Sequence, residues 1–132
     1  MTPNEASRIA IGAAIRVHTA LGPGLLESAY GACLHYEFIK DGLRFEHEVH
    51  LPLMYDGVEI PRAYRIDFVV EHRLIVEVKC VERVLPVHLA QLVSYLKLSG
   101  RKLGLLLNFN VSRMRDGVHR RINGLESELD VD

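Results

Sequence analysis

The sequence has few cysteines, no long apolar run and no excess charge. Its only cysteines, Cys33 and Cys80, belong to no CxxC motif or cysteine–histidine cluster, which argues against a zinc site and favours buried free thiols. No segment has the apolar length of a signal peptide or a membrane span, so we expect a cytoplasmic protein without membrane contact. Because 16 Lys and Arg nearly balance 17 Asp and Glu, any contact with nucleic acid needs a local basic patch.

The chain does have the length and composition of one globular domain. Its 132 residues, 48% of them hydrophobic, are enough for one core and too few for two. It contains no internal repeat and no low-complexity segment. We expect a single domain over residues 1–125, followed by an acidic tail over residues 126–132.

Two helices are predicted first. Thr2 is suited to cap a helix, Pro3 to occupy its first position, and Glu5 to complete a capping box. The glycines and proline of residues 22–24 end this helix, and a second amphipathic helix follows over about residues 25–40.

Strands follow the two helices. Alternating apolar residues from Leu43 predict a strand, Asp56 and Gly57 predict a hairpin, and a second strand runs to Val70, with Pro61 at an edge or bulge. A polar turn over residues 71–73 precedes a third strand.

A third helix and a last strand complete the pattern. The helix begins at Pro86 and ends near Gly100, with Leu89, Val93 and Leu96 facing inward. Residues 103–109 form a buried strand. The order α-α-β-β-β-α-β predicts an α/β or α+β fold, with helices flanking a sheet.

The apolar even-numbered positions of the second and third strands predict their pairing. If these two faces are buried together, the three-residue turn pairs Val70 with Leu74. Asp67 then lies opposite Glu77, with Lys79 on the same side. Facing carboxylates repel each other, and Mg²⁺ or Mn²⁺ would relieve that repulsion. A surface ladder of charges is the alternative, and the spacing alone does not exclude it.

The helices carry further polar candidates. Gln91 and Tyr95 lie one turn apart on a helix face that His88 approaches, where they could bind a phosphate or simply face solvent. Glu27 lies in the first turn of its helix, where the helix dipole alone favours a carboxylate.

Residues 24–30, GLLESAY, resemble the signature of the GxxExxY protein family, a branch of the PD-(D/E)XK nuclease superfamily. The resemblance covers nearly the whole chain, and the ordered set of motifs is specific. The further matching segments, in order, are residues 65–70, 75–79, 91–96, 107–110 and 116–117.

The resemblance implies a restriction-endonuclease-like core with a mixed sheet, and a Mg²⁺ or Mn²⁺ site. It implies that Lys79 is the catalytic lysine, with Gln91 and Tyr95 beside it. Ile66 stands where the motif's name has proline, which is not a ligand. The metal ligands that the resemblance implies are Glu27, Asp67, Glu77 and the Val78 carbonyl.

A basic stretch precedes the acidic tail. It could bind phosphates without reading sequence, or it could be a solvated turn. Its arginines are Arg113, Arg115, Arg120 and Arg121.

The leading hypothesis is a Mg²⁺- or Mn²⁺-dependent nuclease that hydrolyses the phosphodiester bonds of DNA. One alternative is a non-catalytic module that keeps the fold and binds nucleic acid or a protein. Another is a related hydrolase of RNA or of a nucleotide. A small domain of such modest charge binds nucleic acid weakly, which leaves open a homodimer or a protein partner.

Overall fold

The computed structural model describes all 132 residues as three α-helices, five β-strands and two short 3-10 helices. The helices are α1 (Pro3–Leu21), α2 (Glu27–Lys40) and α3 (Pro86–Ser99). The strands are β1 (Phe45–Tyr55), β2 (Val58–Val70), β3 (Leu74–Lys79), β4 (Leu103–Asn108) and β5 (Val118–Ile122). The 3-10 helices are Met114–Gly117 and Glu126–Asp130. None of the helices combines the length and the apolar character needed to cross a lipid bilayer.

The five strands form one mixed sheet in the order β1-β2-β3-β4-β5. Only β3 and β4 are parallel, and α3 provides the crossover between them. All other neighbours are antiparallel. The predicted α+β fold is confirmed and is consistent with a restriction-endonuclease-like core. Strand β5 is an addition to the predicted order, because its sequence has three polar residues in a row, residues 119–121, and shows no alternation of apolar and polar side chains.

Local signals at the ends of elements operate as predicted. The Thr2 hydroxyl accepts a hydrogen bond from the Glu5 N–H at 3.1 Å, and the Glu5 carboxylate accepts one from the Thr2 N–H. Asp56 and Gly57 have φ angles of 51° and 76°, as a tight hairpin requires. The turn over residues 71–73 pairs Val70 with Leu74, so the predicted register of β2 and β3 is confirmed.

The sheet separates two apolar cores. The larger core lies against α1 and α2, and the smaller one lies against α3. The expected inner stripe of α3 was partly wrong, because Leu92 and Leu96 are fully buried while Leu89 and Val93 are only half-buried. Leu92 packs on Gly104 of β4, where an added Cβ would lie 2.7 Å from the Leu92 Cδ1. The absence of a side chain at Gly104 therefore leaves room for Leu92 against the sheet.

The C-terminal residues also contact the core. Leu129, in the second 3-10 helix, is fully buried in the larger core. Asn4 of α1 donates a side-chain hydrogen bond to Asp130 at 2.8 Å. Lys102 forms a 2.5 Å ion pair with Glu128. Residues 126–130 are thus packed on the domain.

The regular alternation of side chains between the two faces of the sheet is interrupted at one point in β1 and β2. Their ladder pairs His47 with Phe68 and Val49 with Ile66, but it leaves out Glu48 and Asp67. Glu48 has a left-handed φ of 60°. Residues two apart on a regular strand share a face, yet Ile66 lies in the smaller core and Phe68 in the larger one. This break lies at the position of Asp67.

Candidate active site

A pocket of about 210 Å³ opens where β2 and β3 diverge beside α3. It brings together the six polar side chains that the sequence singled out on the sheet and helices, together with one arginine that it did not. The residues that line this pocket are Glu27, Arg65, Asp67, Glu77, Lys79, Gln91 and Tyr95.

At the pocket, side-chain hydrogen bonds of Asp67 and Glu77 take the place of backbone pairing between β2 and β3. The last backbone pair between β2 and β3 is Phe68 with Val76. Beyond it, the Asp67 N–H donates to Glu77 Oε2 at 2.7 Å, and the Val78 N–H donates to Asp67 Oδ2 at 2.8 Å. Each carboxylate therefore satisfies a backbone donor of the other strand and is held at the point where the strands separate.

Glu77 is a buried carboxyl beside another carboxylate. It is only 4% exposed. Burial, followed by the negative charge of Asp67, raises the pKa of Glu77 to about 8. The Asp67 N–H and the charge of Lys79 oppose this rise but do not cancel it. The arrangement favours an added positive charge in the pocket.

The α3 side of the pocket presents hydrogen-bond donors. Gln91 and Tyr95 lie one turn apart, as predicted, and both line the pocket. The Tyr95 ring stacks on Tyr64 of β2 at 5.1 Å between centroids. Burial, and then the charges of Glu77 and Asp67, raise the pKa of Tyr95, so its phenol stays protonated as a donor. His88 does not join this pocket, because its Nδ1 accepts the Leu85 N–H at 2.9 Å and caps α3.

The GLLESAY segment shapes the α2 side. Glu27 is the first residue of α2 and is exposed. The buried Tyr30 accepts a hydrogen bond from the Leu25 N–H at 3.2 Å and donates one to the Gly22 carbonyl. Its ring stacks on Phe109, with centroids 4.6 Å apart. Tyr30 thereby holds the loop that sets where α2, and hence Glu27, begins.

Comparison with known proteins gives one match. The sequence profile of the PD-(D/E)XK nuclease superfamily matches residues 4–121. The chain belongs to the PD-(D/E)XK nuclease superfamily. No curated protein and no solved structure matches the chain.

The carboxylates of this PD-(D/E)XK domain suit a hard divalent cation, which prefers oxygen ligands. Three acidic residues, Glu27, Asp67 and Glu77, line one pocket, although no three acidic or histidine side chains already form a metal-binding group. Glu77 Oε1 has no protein hydrogen-bond partner and is not sealed from solvent. One carboxylate oxygen is therefore free within a buried pair of acids that repel each other, which fits a cation site.

Arg65 is the pocket residue that sequence reasoning missed. Its guanidinium lies 3.1 Å from Asp67 Oδ1 and 3.6 Å from Glu48 Oε1. It also lines an adjoining cleft of about 330 Å³ between α2 and β1, which shares Glu27 and Asp67 with the first pocket. The sequence did contain a signal for Arg65, which lies two residues before Asp67 on the same predicted strand face.

Other candidate residues lie elsewhere or show a different contact. The described contact of Val78 is through its N–H, so a role for its carbonyl stays a prediction. Arg120 and Arg121 lie on edge strand β5, and Arg120 pairs with Glu126 at 2.9 Å. None of the predicted basic residues lines the pocket, and their contact with nucleic acid also stays a prediction. These four residues are Arg113, Arg115, Arg120 and Arg121.

Cys33 and Cys80 are free and half-buried. Burial, followed by the charge of Glu27, raises the pKa of Cys80. This thiol is therefore in the form that binds metals weakly, and the acidic residues are the better candidate ligands.

Proposed function

We propose that the chain is a metal-dependent nuclease of the GxxExxY branch that hydrolyses phosphodiester bonds of DNA. The observation that carries this proposal is the convergence of Asp67, Glu77 and Lys79 in one pocket at the divergence of β2 and β3. Membership of the PD-(D/E)XK superfamily over residues 4–121 supports it.

Four oxygen donors would hold Mg²⁺ or Mn²⁺ in this proposal. They are the carboxylates of Glu27, Asp67 and Glu77 and the carbonyl of Val78. When bound, the cation supplies a water of lowered pKa and positive charge beside the scissile phosphate. The reciprocal bonds of Asp67 and Glu77 keep both carboxylates in place without the cation.

The remaining polar residues act on the nucleophile and the phosphate. Lys79, at the end of β3, orients the attacking water and balances the charge that develops on the phosphate. Gln91 and the protonated phenol of Tyr95 donate hydrogen bonds to phosphate oxygens from the α3 side. Arg65, nearly half exposed, offers a second cation to the strand that enters the pocket.

The test is cleavage of labelled single- and double-stranded DNA, with RNA in parallel, in Mg²⁺, Mn²⁺ or EDTA. We expect wild type to cut only with metal and Lys79→Ala to lose at least about 100-fold in rate. Lys97→Ala is the matched control, because Lys97 is exposed on α3 and lines no part of the pocket. Full cleavage by Lys79→Ala would overturn the assigned chemistry.

An inactive protein would point to another function. If the purified chain binds DNA but cuts nothing with any divalent metal, the non-catalytic binding module replaces the nuclease. Preferential cleavage of RNA would keep the chemistry and change the substrate. Size-exclusion chromatography with light scattering, run on the same preparation, tests whether the chain forms a homodimer.

A further inference from the structure

A second and larger pocket lies at the opposite end of the sheet. It has a volume of about 430 Å³. The turn before β3, the loop before β4 and the C-terminal 3-10 helix surround it. Because β3 rises by ~3.3 Å per residue over its length, this end lies about 17 Å from Lys79. The two pockets share no residue.

Four basic residues on two neighbouring loops line this second pocket. They are His72, Arg73, Arg101 and Lys102. Two acidic side chains are present as well, but both are already engaged. Glu128 pairs with Lys102 at 2.5 Å, and Asp132 pairs with the amino group of Met1 at 3.0 Å.

The two arginines of the pocket have no ion-pair partner. Neither Arg73 nor Arg101 lies within 4.0 Å of a carboxylate oxygen. Arg101 Nε is also the single buried side-chain nitrogen or oxygen in the chain without a hydrogen-bond partner. Buried polar groups are almost always hydrogen-bonded, so the Arg101 guanidinium has a donor that no other group of the protein uses. An anion with several oxygens matches the donors of a guanidinium.

We propose that this pocket binds a phosphate group, with Arg73 and Arg101 as its principal ligands. Lys102 and His72 complete the basic lining. The pocket has the volume of a small-ligand site, and Val131 is the single hydrophobic residue among the ten that line it. The phosphate belongs either to a free phosphorylated molecule or to a nucleic-acid strand, whose oxygens offer the same chemistry. The proposal does not depend on nuclease activity, since no residue of the first pocket takes part.

The test is a titration of the full chain with inorganic phosphate, followed by NMR of the arginine Nε–Hε signals. Sodium chloride at equal ionic strength is the reference. We expect a saturable shift of the Arg101 signal, and at least about tenfold weaker binding in Arg73→Gln. Arg101→Gln provides a second variant, read by calorimetry. Arg8→Gln is the matched control, because Arg8 is exposed on α1 and lines neither pocket.

Several outcomes would overturn the proposal. One is an Arg101 signal that does not saturate as phosphate is added. The others are an equal loss of phosphate binding in Arg8→Gln and an NMR shift confined to Arg65. The catalytic variant Lys79→Ala should bind phosphate here as wild type does, which separates this site from the proposed nuclease.

Two further titrations identify the source of the phosphate. If a short DNA strand without a terminal phosphate shifts the Arg101 signal, the result supports the site and assigns it to the nucleic-acid backbone. A nucleoside monophosphate that moves the signal while this DNA does not supports the site and assigns it to a free phosphorylated molecule.

Discussion

Asp67 and Glu77 each use a carboxylate oxygen to bind a backbone N–H of the opposite strand, at 2.8 Å and 2.7 Å. The two acids therefore have a structural task as well as the proposed metal-binding one. They hold β2 and β3 together one step beyond the last backbone pair, while their charges repel. Substitutions at these residues separate the two tasks.

Asp67→Asn should fold nearly as well as wild type, because an amide oxygen can still accept the Val78 N–H. Asp67→Ala should lose about 1–3 kcal/mol of unfolding free energy, since that buried donor then lacks an acceptor. Both variants should lose Mn²⁺ binding. Urea denaturation in EDTA, together with calorimetric titration of Mn²⁺, checks this. Equal stabilities of the two variants would contradict the structural task.

The stability of the metal-free protein should depend on Glu77. Its folded-state pKa of about 8 lies above the ordinary value of 4.5. The folded state thus holds a proton that the unfolded chain has lost, and this contribution to stability falls as pH rises from about 4.5 to 8. Glu77→Gln should remove this part of the pH dependence. Thermal unfolding in EDTA from pH 4 to 9 measures it.

The control for this pH profile is Glu59→Gln, at an exposed position on β2. Its profile should follow that of wild type. If Glu77→Gln also follows wild type over this range, the carboxyl does not titrate as its burial requires.

Arg65→Gln should weaken DNA binding in EDTA, where no cleavage takes place. The loss of one phosphate contact should reduce the affinity for DNA by less than about tenfold. It should also lower by about one the number of counterions released on binding, which the salt dependence of the affinity reports. Fluorescence anisotropy over a salt series measures both quantities. An unchanged salt dependence would show that Arg65 serves only to pair Asp67 and Glu48.

Tyr30→Phe should remove the hydrogen bonds that hold the loop before α2 and leave the packing of the ring in the core unchanged. The ring can stay on Phe109, while the hydrogen bonds to Gly22 and Leu25 are lost. We expect a loss of about 1 kcal/mol in unfolding free energy and weaker Mn²⁺ binding, because Glu27 is less well placed. Tyr36→Phe, on the exposed side of α2, should change neither quantity. Unaltered Mn²⁺ affinity in Tyr30→Phe would refute the link to Glu27.

Gly104→Ala should destabilise the domain by about 1–3 kcal/mol, because its Cβ would lie 2.7 Å from the Leu92 side chain. Combining it with Leu92→Ala should relieve that clash and give a total loss smaller than the sum of the two. Gly12→Ala is the opposite control, since its Cβ meets only Arg16 Nη1 at 3.8 Å within α1. It should stabilise the domain by about 0.5–1 kcal/mol. Urea denaturation of the four variants tests this, and a strictly additive pair would exclude the contact.

Most of the fold was predictable because its signals are local. The capping box at Thr2, the hairpin at Asp56 and the turn over residues 71–73 act between residues that are near in sequence. The turn also determined the register that places Asp67 near Glu77, since strand pairing with a short turn leaves one alignment that buries both apolar faces.

Sequence by itself therefore determined the order of the three helices and first four strands, the register of β2 and β3, and six of the seven residues that line the pocket. Only the tertiary structure decided the rest. The break in β2 at Asp67, the inward position of Leu92, strand β5 and the ion pairs of Arg65 depend on partners far along the chain. The raised pKa of Glu77 has the same origin, because burial arises only when β2, β4 and α3 close around that carboxyl and exclude water.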